Sequence, residues 1–262
     1  MGATGTVRSI LDLTKEQNVT FLAASVAYYA FVSVIPLLLL AIALGSLLGG
    51  EAFAQRIVST VQGQISDQGA TVVEQALTAS SGRAGASVAS IVALTWSGLK
   101  LFRGMDLAFD EVYGLQPQTG LLGQVKDGLT VLLTVGLAAV LMIGLGVVLG
   151  QATRIGIPFI GVLGYVALIV GLVGVFLPLY YVMPPVEMTA REALPGALVA
   201  AVGWLVLQIV FQIYAANAGD YAAYGLLGAV LLFLTWLYFA AVLVLVGAVV
   251  NVVLAGRDPL AE

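Results

Sequence analysis

The sequence predicts an all-α integral membrane protein, a bundle of six transmembrane helices with both termini in the cytoplasm. Hydrophobic residues make up 61% of the 262 positions and charged residues only 9%, against roughly 25% charged in ordinary soluble domains. Uncharged runs long enough to cross a bilayer recur along the chain. Lys and Arg concentrate on one side of the membrane that these runs define.

Six uncharged runs can each form one helix across a hydrocarbon core about 30 Å thick, which requires about 20 apolar residues. None of them is long enough for two spans joined by a turn. The second run is the shortest, and it extends through Leu101 and Phe102 because Lys100 can reach water along its aliphatic stem. In one transmembrane domain, 1–262, the predicted spans are about 20–49, 84–103, 128–150, 157–182, 195–216 and 225–254.

The distribution of basic residues predicts the orientation. With six spans, the N-terminus, the second and fourth loops and the C-terminus share a side, which carries seven of the ten Lys and Arg residues. Cytoplasmic loops carry the excess of basic residues. We therefore predict cytoplasmic termini and a multi-pass protein of the cell membrane.

The segment 51–83 is the longest polar stretch and follows the first span. Phe53, Ile57, Val61 and Ile65 recur every four residues, a spacing that places them on one helix face. The pattern predicts a short helical extracytoplasmic segment lying on the outer membrane surface. It either caps a cavity or only connects two spans, and the connector is the favoured interpretation.

The first span carries a stripe of polar and aromatic residues, namely Tyr28, Tyr29, Ser33 and Pro36. Pro36 is expected to kink the helix, since proline removes a backbone hydrogen bond. The stripe either packs against neighbouring helices or lines a substrate path. In the fifth span, Gln208 and Gln212 raise the same alternatives, because a side-chain amide in hydrocarbon needs a hydrogen-bond partner.

Five charges lie in the stretch 96–114, on a helix that continues from an apolar run into a polar one. At 100° per residue, Trp96, Lys100, Arg103, Asp106 and Asp110 share one side. Lys100 and Arg103 either hold an anionic substrate or lipid headgroup, or only anchor the helix at the membrane boundary.

Asp106 and Asp110, four positions apart, are the candidate ligands for a divalent cation. The favoured alternative is a solvated acidic face in which Arg103 pairs with Asp106.

The sequence lacks the residues that several kinds of chemistry require. The chain has no Cys and no His, which excludes disulfides and nearly excludes a zinc hydrolase site. Neither a GxxxxGK[ST] phosphate loop nor a GxSxG motif occurs. Acidic residues outnumber basic ones, 14 to 10, which argues against a nucleic-acid partner. We predict a protein that is not an enzyme and that uses no cofactor.

Six segments, in order along most of the chain, resemble the YihY/BrkB membrane-protein family, historically labelled "ribonuclease BN". They are AASVAYYAFVSVIPLLLL (23–40), WSGLKLFRGMDLAFDEVYG (96–114), LPLYYVMPP (177–185), REALPGALVAAVGWLVLQ (191–208), YAANAGDYAAYGLLGA (214–229) and LTWLYFAAVLVLVGAVVN (234–251). The resemblance implies six transmembrane helices with cytoplasmic termini, and transport is the usual suggestion for the family. One departure is Val249, where the family pattern commonly has an acid. The residues themselves do not support ribonuclease activity.

Two functions fit these observations. The first is a transporter or lipid-handling carrier without its own ATPase, for an unnamed and potentially anionic substrate. The second is a non-transporting membrane scaffold or assembly factor that recruits partners through the Asp106–Glu111 face or the outer segment. The predicted partners are membrane lipids and a small-molecule or lipid substrate, with a homo-oligomer left open.

Overall fold

The computed structural model describes residues 3–34, 96, 100–115, 120, 123, 126–131, 133–134, 160–217 and 225–257. Its secondary structure in these ranges is helical, with seven helices and no strand, so the predicted all-α class is confirmed. In chain order the helices are α1 (Ala3–Glu16), α2 (Val19–Val34), α3 (100–112), α4 (126–131), α5 (Ile160–Val182), α6 (Ala190–Asn217) and α7 (Gly225–Leu254).

Two of the described helices are long and apolar enough to cross a membrane. These stretches are Ala190–Tyr214 in α6 and Val230–Leu254 in α7, each of 25 residues. The apolar helices Val19–Val34 and Val166–Val182 are shorter. The count of six spans and the orientation stay predictions. The segment 51–83, Pro36 and most of the predicted second and third spans lie outside the described residues.

The chain divides into two compact units, one formed by Met1–Tyr28 with Arg103–Glu262 and the other by Tyr29–Phe102. The larger unit begins with α1, a helix that the sequence analysis did not predict. The turn between α1 and α2 places Asn18 at a φ of 48°, a left-handed conformation that Asn tolerates better than most residues. In this unit α1 packs against α7, and α6 packs against both α5 and α7.

Helices α6 and α7 approach each other closely at a pair of glycines. A Cβ atom on Gly196 would collide with the carbonyl oxygen of Gly247 and with the amide of Asn251. A Cβ on Gly247 would collide with the hydroxyl of Tyr180, which instead donates a hydrogen bond of 2.7 Å to the carbonyl oxygen of Val244. Small residues let membrane helices approach this closely, so the crossing determines how α5, α6 and α7 pack.

Aromatic rings fill the space between these three helices further along. The ring centroids of Trp204 and Trp236 are 5.1 Å apart, and Phe176 and Phe211 each contact one of the two indoles edge-on. Such tilted contacts match the quadrupoles of the rings. The cluster joins α5, α6 and α7 through apolar packing.

Candidate functional site: a buried acid pair beside an arginine hub

The candidate site lies at the end of α3. The ring of Phe109 in α3 is 6.0 Å from the ring of Tyr180 in α5, and both side chains are fully buried. One turn further on, the hydroxyl of Tyr113 is 4.0 Å from the sulfur of Met188, in the link between α5 and α6. These contacts hold the last turn of α3 against the bundle.

The backbone ends α3 immediately after this turn. Gly114 has a φ of 66°, a left-handed conformation that glycine adopts without steric cost. The amide of Leu115 donates to the carbonyl oxygen of Asp110, and the amide of Gly114 donates to that of Glu111. Asp110 therefore lies in the last turn of a helix, where the helix dipole disfavours an anion.

Asp106 and Asp110, which we call the acid pair, are buried. Their side chains are only 5% and 3% exposed, whereas the neighbouring Glu111 is exposed. The expectation of a solvated acidic face was therefore wrong. Both sides of α3 are covered, because Phe109 and Val112 are also fully buried; the charge pattern showed only one apolar side.

The carboxylate of Asp110 is not fully satisfied. In the described part of the chain its Oδ2 atom is buried and has no hydrogen-bond partner. Burial, and to a smaller extent the nearby charge of Asp106, together raise the pKa of Asp110 from 3.8 to about 6. The pKa of Asp127 in α4 is also raised, first by burial and then by Asp106, while Lys126 opposes the shift. Carboxylates on two helices thus influence one another here.

Arg257, just after α7, forms a second polar cluster, which we call the arginine hub. Its guanidinium donates to the sulfur of Met188 at 3.0 Å, to the carbonyl oxygen of Glu187 at 3.1 Å and to Glu192 Oε1 at 3.3 Å. The other oxygen of Glu192 accepts from the backbone amide and the hydroxyl of Thr189, each at 2.8 Å. These last two bonds lower the pKa of Glu192. The hub ties the end of α7 to the beginning of α6.

A third polar contact joins the same two helices. Asn251 Oδ1 accepts a hydrogen bond of 2.7 Å from the amide of Gly196, and its Nδ2 donates to the carbonyl oxygen of Ala193 at 3.3 Å. The partners flank Pro195, which has no amide hydrogen and disturbs the bonding of the first turns of α6. The side chain of Asn251 therefore satisfies backbone groups next to a proline inside a helix.

Sequence reasoning did not assign a role to the arginine hub or to Asn251. One signal was present, because Thr189 and Glu192 have the spacing of a capping box directly before an apolar run. A second signal was Asn251, the one Asn inside the apolar α7, which lies opposite Pro195 and Gly196 of α6. Val249, the position at which the family pattern has an acid, is fully buried, so an apolar side chain fills it.

The sequence-predicted lining residues occupy different environments. In α2, Tyr28 and Tyr29 are 59% and 37% exposed, whereas Ser33 is 1% exposed. Trp96, Lys100 and Arg103 are exposed. In α6, Gln208 and Gln212 are exposed. Their role as a substrate path stays a prediction.

The predicted cation site consists of two carboxylates. Throughout the described ranges, no group of three or more Asp or Glu side chains is arranged to hold a metal ion. An open groove of about 790 Å³ lies beside the arginine hub. Its lining consists of Tyr181, Val182, Pro184, Pro185, Val186, Glu187, Met188, Thr189, Glu192 and Arg257.

Long apolar helices that cross at glycines, with their charges collected near the helix ends, define a helical membrane protein. The chain belongs to the Virulence factor BrkB family, whose model matches residues 10–261. The resemblance drawn from the six sequence segments is thereby confirmed.

Curated relatives agree with this class. The chain is 28% identical over 242 residues to a UPF0761 membrane protein of Alkalilimnicola ehrlichii, covering 86% of this chain and 53% of the relative. It is 25% identical over 248 residues to another of Aromatoleum aromaticum, covering 88% and 59%. A putative ribonuclease-like protein YfkH of Bacillus subtilis is 30% identical over 89 residues, 34% of this chain and 32% of that one. The chain spans less than two thirds of the length of these relatives. No solved structure matches it significantly.

Proposed function

We propose that the protein is a transporter or lipid-handling carrier of the cell membrane without its own ATPase, with an anionic substrate favoured. The observation that carries the proposal is the carboxyl group of Asp110, which is 3% exposed and has an unpartnered oxygen among the described residues. Ionisable groups buried in membrane helices and at their ends are costly and mark ion or substrate pathways.

The energetic argument compares this group with an ordinary structural one. A buried polar atom without a hydrogen bond costs about 1–3 kcal/mol, and more when it is charged. The arginine hub shows how the same bundle compensates a charge for structural purposes, with five polar contacts around Glu192 and Arg257. Because the acid pair lacks such compensation at Asp110, a structural role explains it poorly and a role in binding explains it better.

The basic residues of α3 support the choice of an anionic substrate. Arg103 and Lys100 are exposed and lie about one and two turns, respectively, before Asp106 on the same helix. If the termini are cytoplasmic, as the distribution of Lys and Arg favours, this helix end faces the cytoplasm. Exposed guanidinium and ammonium groups at a membrane boundary suit the capture of an anionic substrate or headgroup.

The alternative, a non-transporting scaffold, loses one of its two candidate surfaces. It required the Asp106–Glu111 face to be available to a partner, but Asp106 and Asp110 are buried. Of the charges on that face, Glu111 is exposed.

The test begins with an untargeted comparison of metabolites and lipids between deletion and overexpression strains. Compounds that change in opposite directions in the two strains are then assayed for flux in proteoliposomes. We expect flux of at least one compound, and a several-fold loss of it in Arg103→Gln at equal protein level. Lys126→Gln is the matched control, because it removes an exposed positive charge outside α3. Absence of flux, together with a stoichiometric protein partner in a pull-down, would replace the carrier by the scaffold.

A further inference from the structure

We propose that Asp110, buried beside Asp106, binds a proton in mildly acidic conditions and that this proton is the coupling ion of the carrier. The coupling role rests on the proposed function, whereas the protonation of Asp110 can be tested without it. No other charge cluster in the described ranges combines this burial with an unpartnered oxygen.

The geometry of α3 brings the two carboxyl groups together. Residues four positions apart on a helix have Cβ atoms about 5–6 Å apart and lie on the same face. Both side chains are more than nine-tenths buried. A second negative charge at this separation, with little water between the two groups, makes the carboxylate of Asp110 bind a proton more readily than it does in water.

The unpartnered Oδ2 of Asp110 is the atom at which the proton binds. As a carboxylate oxygen it can only accept hydrogen bonds, and it accepts none from the described residues. On protonation it becomes an O–H donor, the charge of Asp110 disappears and the repulsion from Asp106 ends. The proton comes from water at the exposed end of α3, where Glu111 reaches solvent.

Among the described residues, no positive charge offsets the raised pKa of Asp110, and the basic residues of α3 itself, Lys100 and Arg103, are exposed. The charged groups of α4 are Asp127 and Lys126, and Lys126 is exposed. From α5 comes Tyr180, whose hydroxyl is engaged with the backbone of α7. Tyr113, on α3 itself, has a pKa raised mainly by burial, an effect that nearby Arg257 partly opposes. The raised pKa of Asp110, about 6, agrees with the arrangement.

A proton fits this site better than a metal ion. Calcium takes six to eight oxygen ligands and magnesium requires nearly octahedral coordination. The acid pair offers two side chains, and the described residues contain no third acid arranged to complete a metal site. A proton needs one carboxylate oxygen, which Asp110 supplies.

The decisive experiment is an infrared titration of the full chain in lipid nanodiscs between about pH 4 and pH 8. We expect the wild type to show a protonated carboxyl band that disappears with a midpoint near pH 6, and Asp110→Asn to lack it. Asp106→Asn should move the midpoint of the remaining group to lower pH, because the second negative charge is gone. Glu111→Gln is the matched control, since it removes an exposed acid from the same helix turn and should leave the band unchanged.

The same variants separate this inference from the proposed function. Proteoliposomes carrying an entrapped pH dye are given a total polar metabolite extract as the probe, with and without an imposed pH gradient. A band near pH 6 without proton or metabolite flux would keep the proton site and reject the carrier. Metabolite flux that ignores the pH gradient and survives Asp110→Asn would keep the carrier and reject proton coupling. A band unchanged in Asp110→Asn would overturn the site itself.

Discussion

The arginine hub and the acid pair are linked through Tyr113 and Met188, yet they differ in how their charges are compensated. In the hub, Glu192 is partly exposed, pairs with Arg257 and accepts two hydrogen bonds from Thr189. In the acid pair, Asp110 is buried beside another acid and retains an unpartnered oxygen. The hub is a structural contact between two helices. The burial of Asp110 without a partner for one oxygen costs stability, which is typical of groups retained for function.

The largest expected effect comes from the glycine crossing that holds the hub's helices together. Gly196→Ala places a methyl group against the backbone of Gly247 and the amide of Asn251. Backbone atoms cannot move aside without a large cost, so we expect the free energy of unfolding to fall by at least the amount typical of overpacking, about 1–3 kcal/mol. Thermal unfolding in detergent measures it. Gly174→Ala is the control, because its Cβ would have nothing within 4 Å; equal melting temperatures for both variants would refute the close crossing.

The second-largest effect tests whether the hydrogen bonds of Asn251 stabilise the contact between α6 and α7. Asn251→Ala leaves the buried amide of Gly196 and the carbonyl of Ala193 without their partner, at about 1–3 kcal/mol for each unsatisfied group. We expect a clear drop in melting temperature and faster hydrogen exchange of the Gly196 amide. Gln208→Ala, which removes an exposed amide from α6, should change stability little. A silent Asn251→Ala would show that the bonds to α6 contribute nothing net.

At the acid pair we expect a smaller effect in the other direction, a gain in stability on substitution of Asp110. The folded-state pKa of Asp110 is raised from 3.8 to about 6, so its contribution to stability is fully present below about pH 4 and is lost as the pH rises through about 6. Asp110→Asn should therefore melt higher than the wild type at pH 7.5, with the difference shrinking toward pH 4.5. Melting curves at both pH values decide this. A variant less stable than the wild type at pH 7.5 would assign Asp110 to structure.

The smallest expected effect is at the helix cap of the hub. Thr189→Ala removes the hydroxyl that bonds Glu192 at the beginning of α6, and N-cap losses typically cost about 1 kcal/mol. Thr189→Ser keeps the hydroxyl and should restore the wild-type melting temperature. A Thr189→Ala loss as large as that of Asn251→Ala would mean that the cap, rather than the buried amide, carries the α6–α7 connection.

Part of this comparison could be predicted from the sequence. The charge pattern predicted that α3 is a charged helix continuing from an apolar run, and the length of the apolar runs predicted α6 and α7. The capping box of Thr189 and Glu192 was a readable local signal, since it depends on residues three apart. The burial of Asp106 and Asp110 was not readable, because the pattern of α3 records which residues are polar and not which neighbours cover them.

The sequence by itself determined that the protein is helical and belongs to a membrane, and it determined the family, because apolar run length and segment order are local properties of the chain. Only the tertiary structure decided that Asn251 bonds to the backbone beside Pro195, that Gly196 meets Gly247, and that Asp110 lies buried without a partner for one oxygen. The partners in the first two contacts are more than fifty positions apart. The turn that carries Asp110 also depends on a distant contact, because the ring of Phe109 packs against Tyr180 of α5. Such contacts depend on how helices pack against one another, and helix periodicity does not specify that.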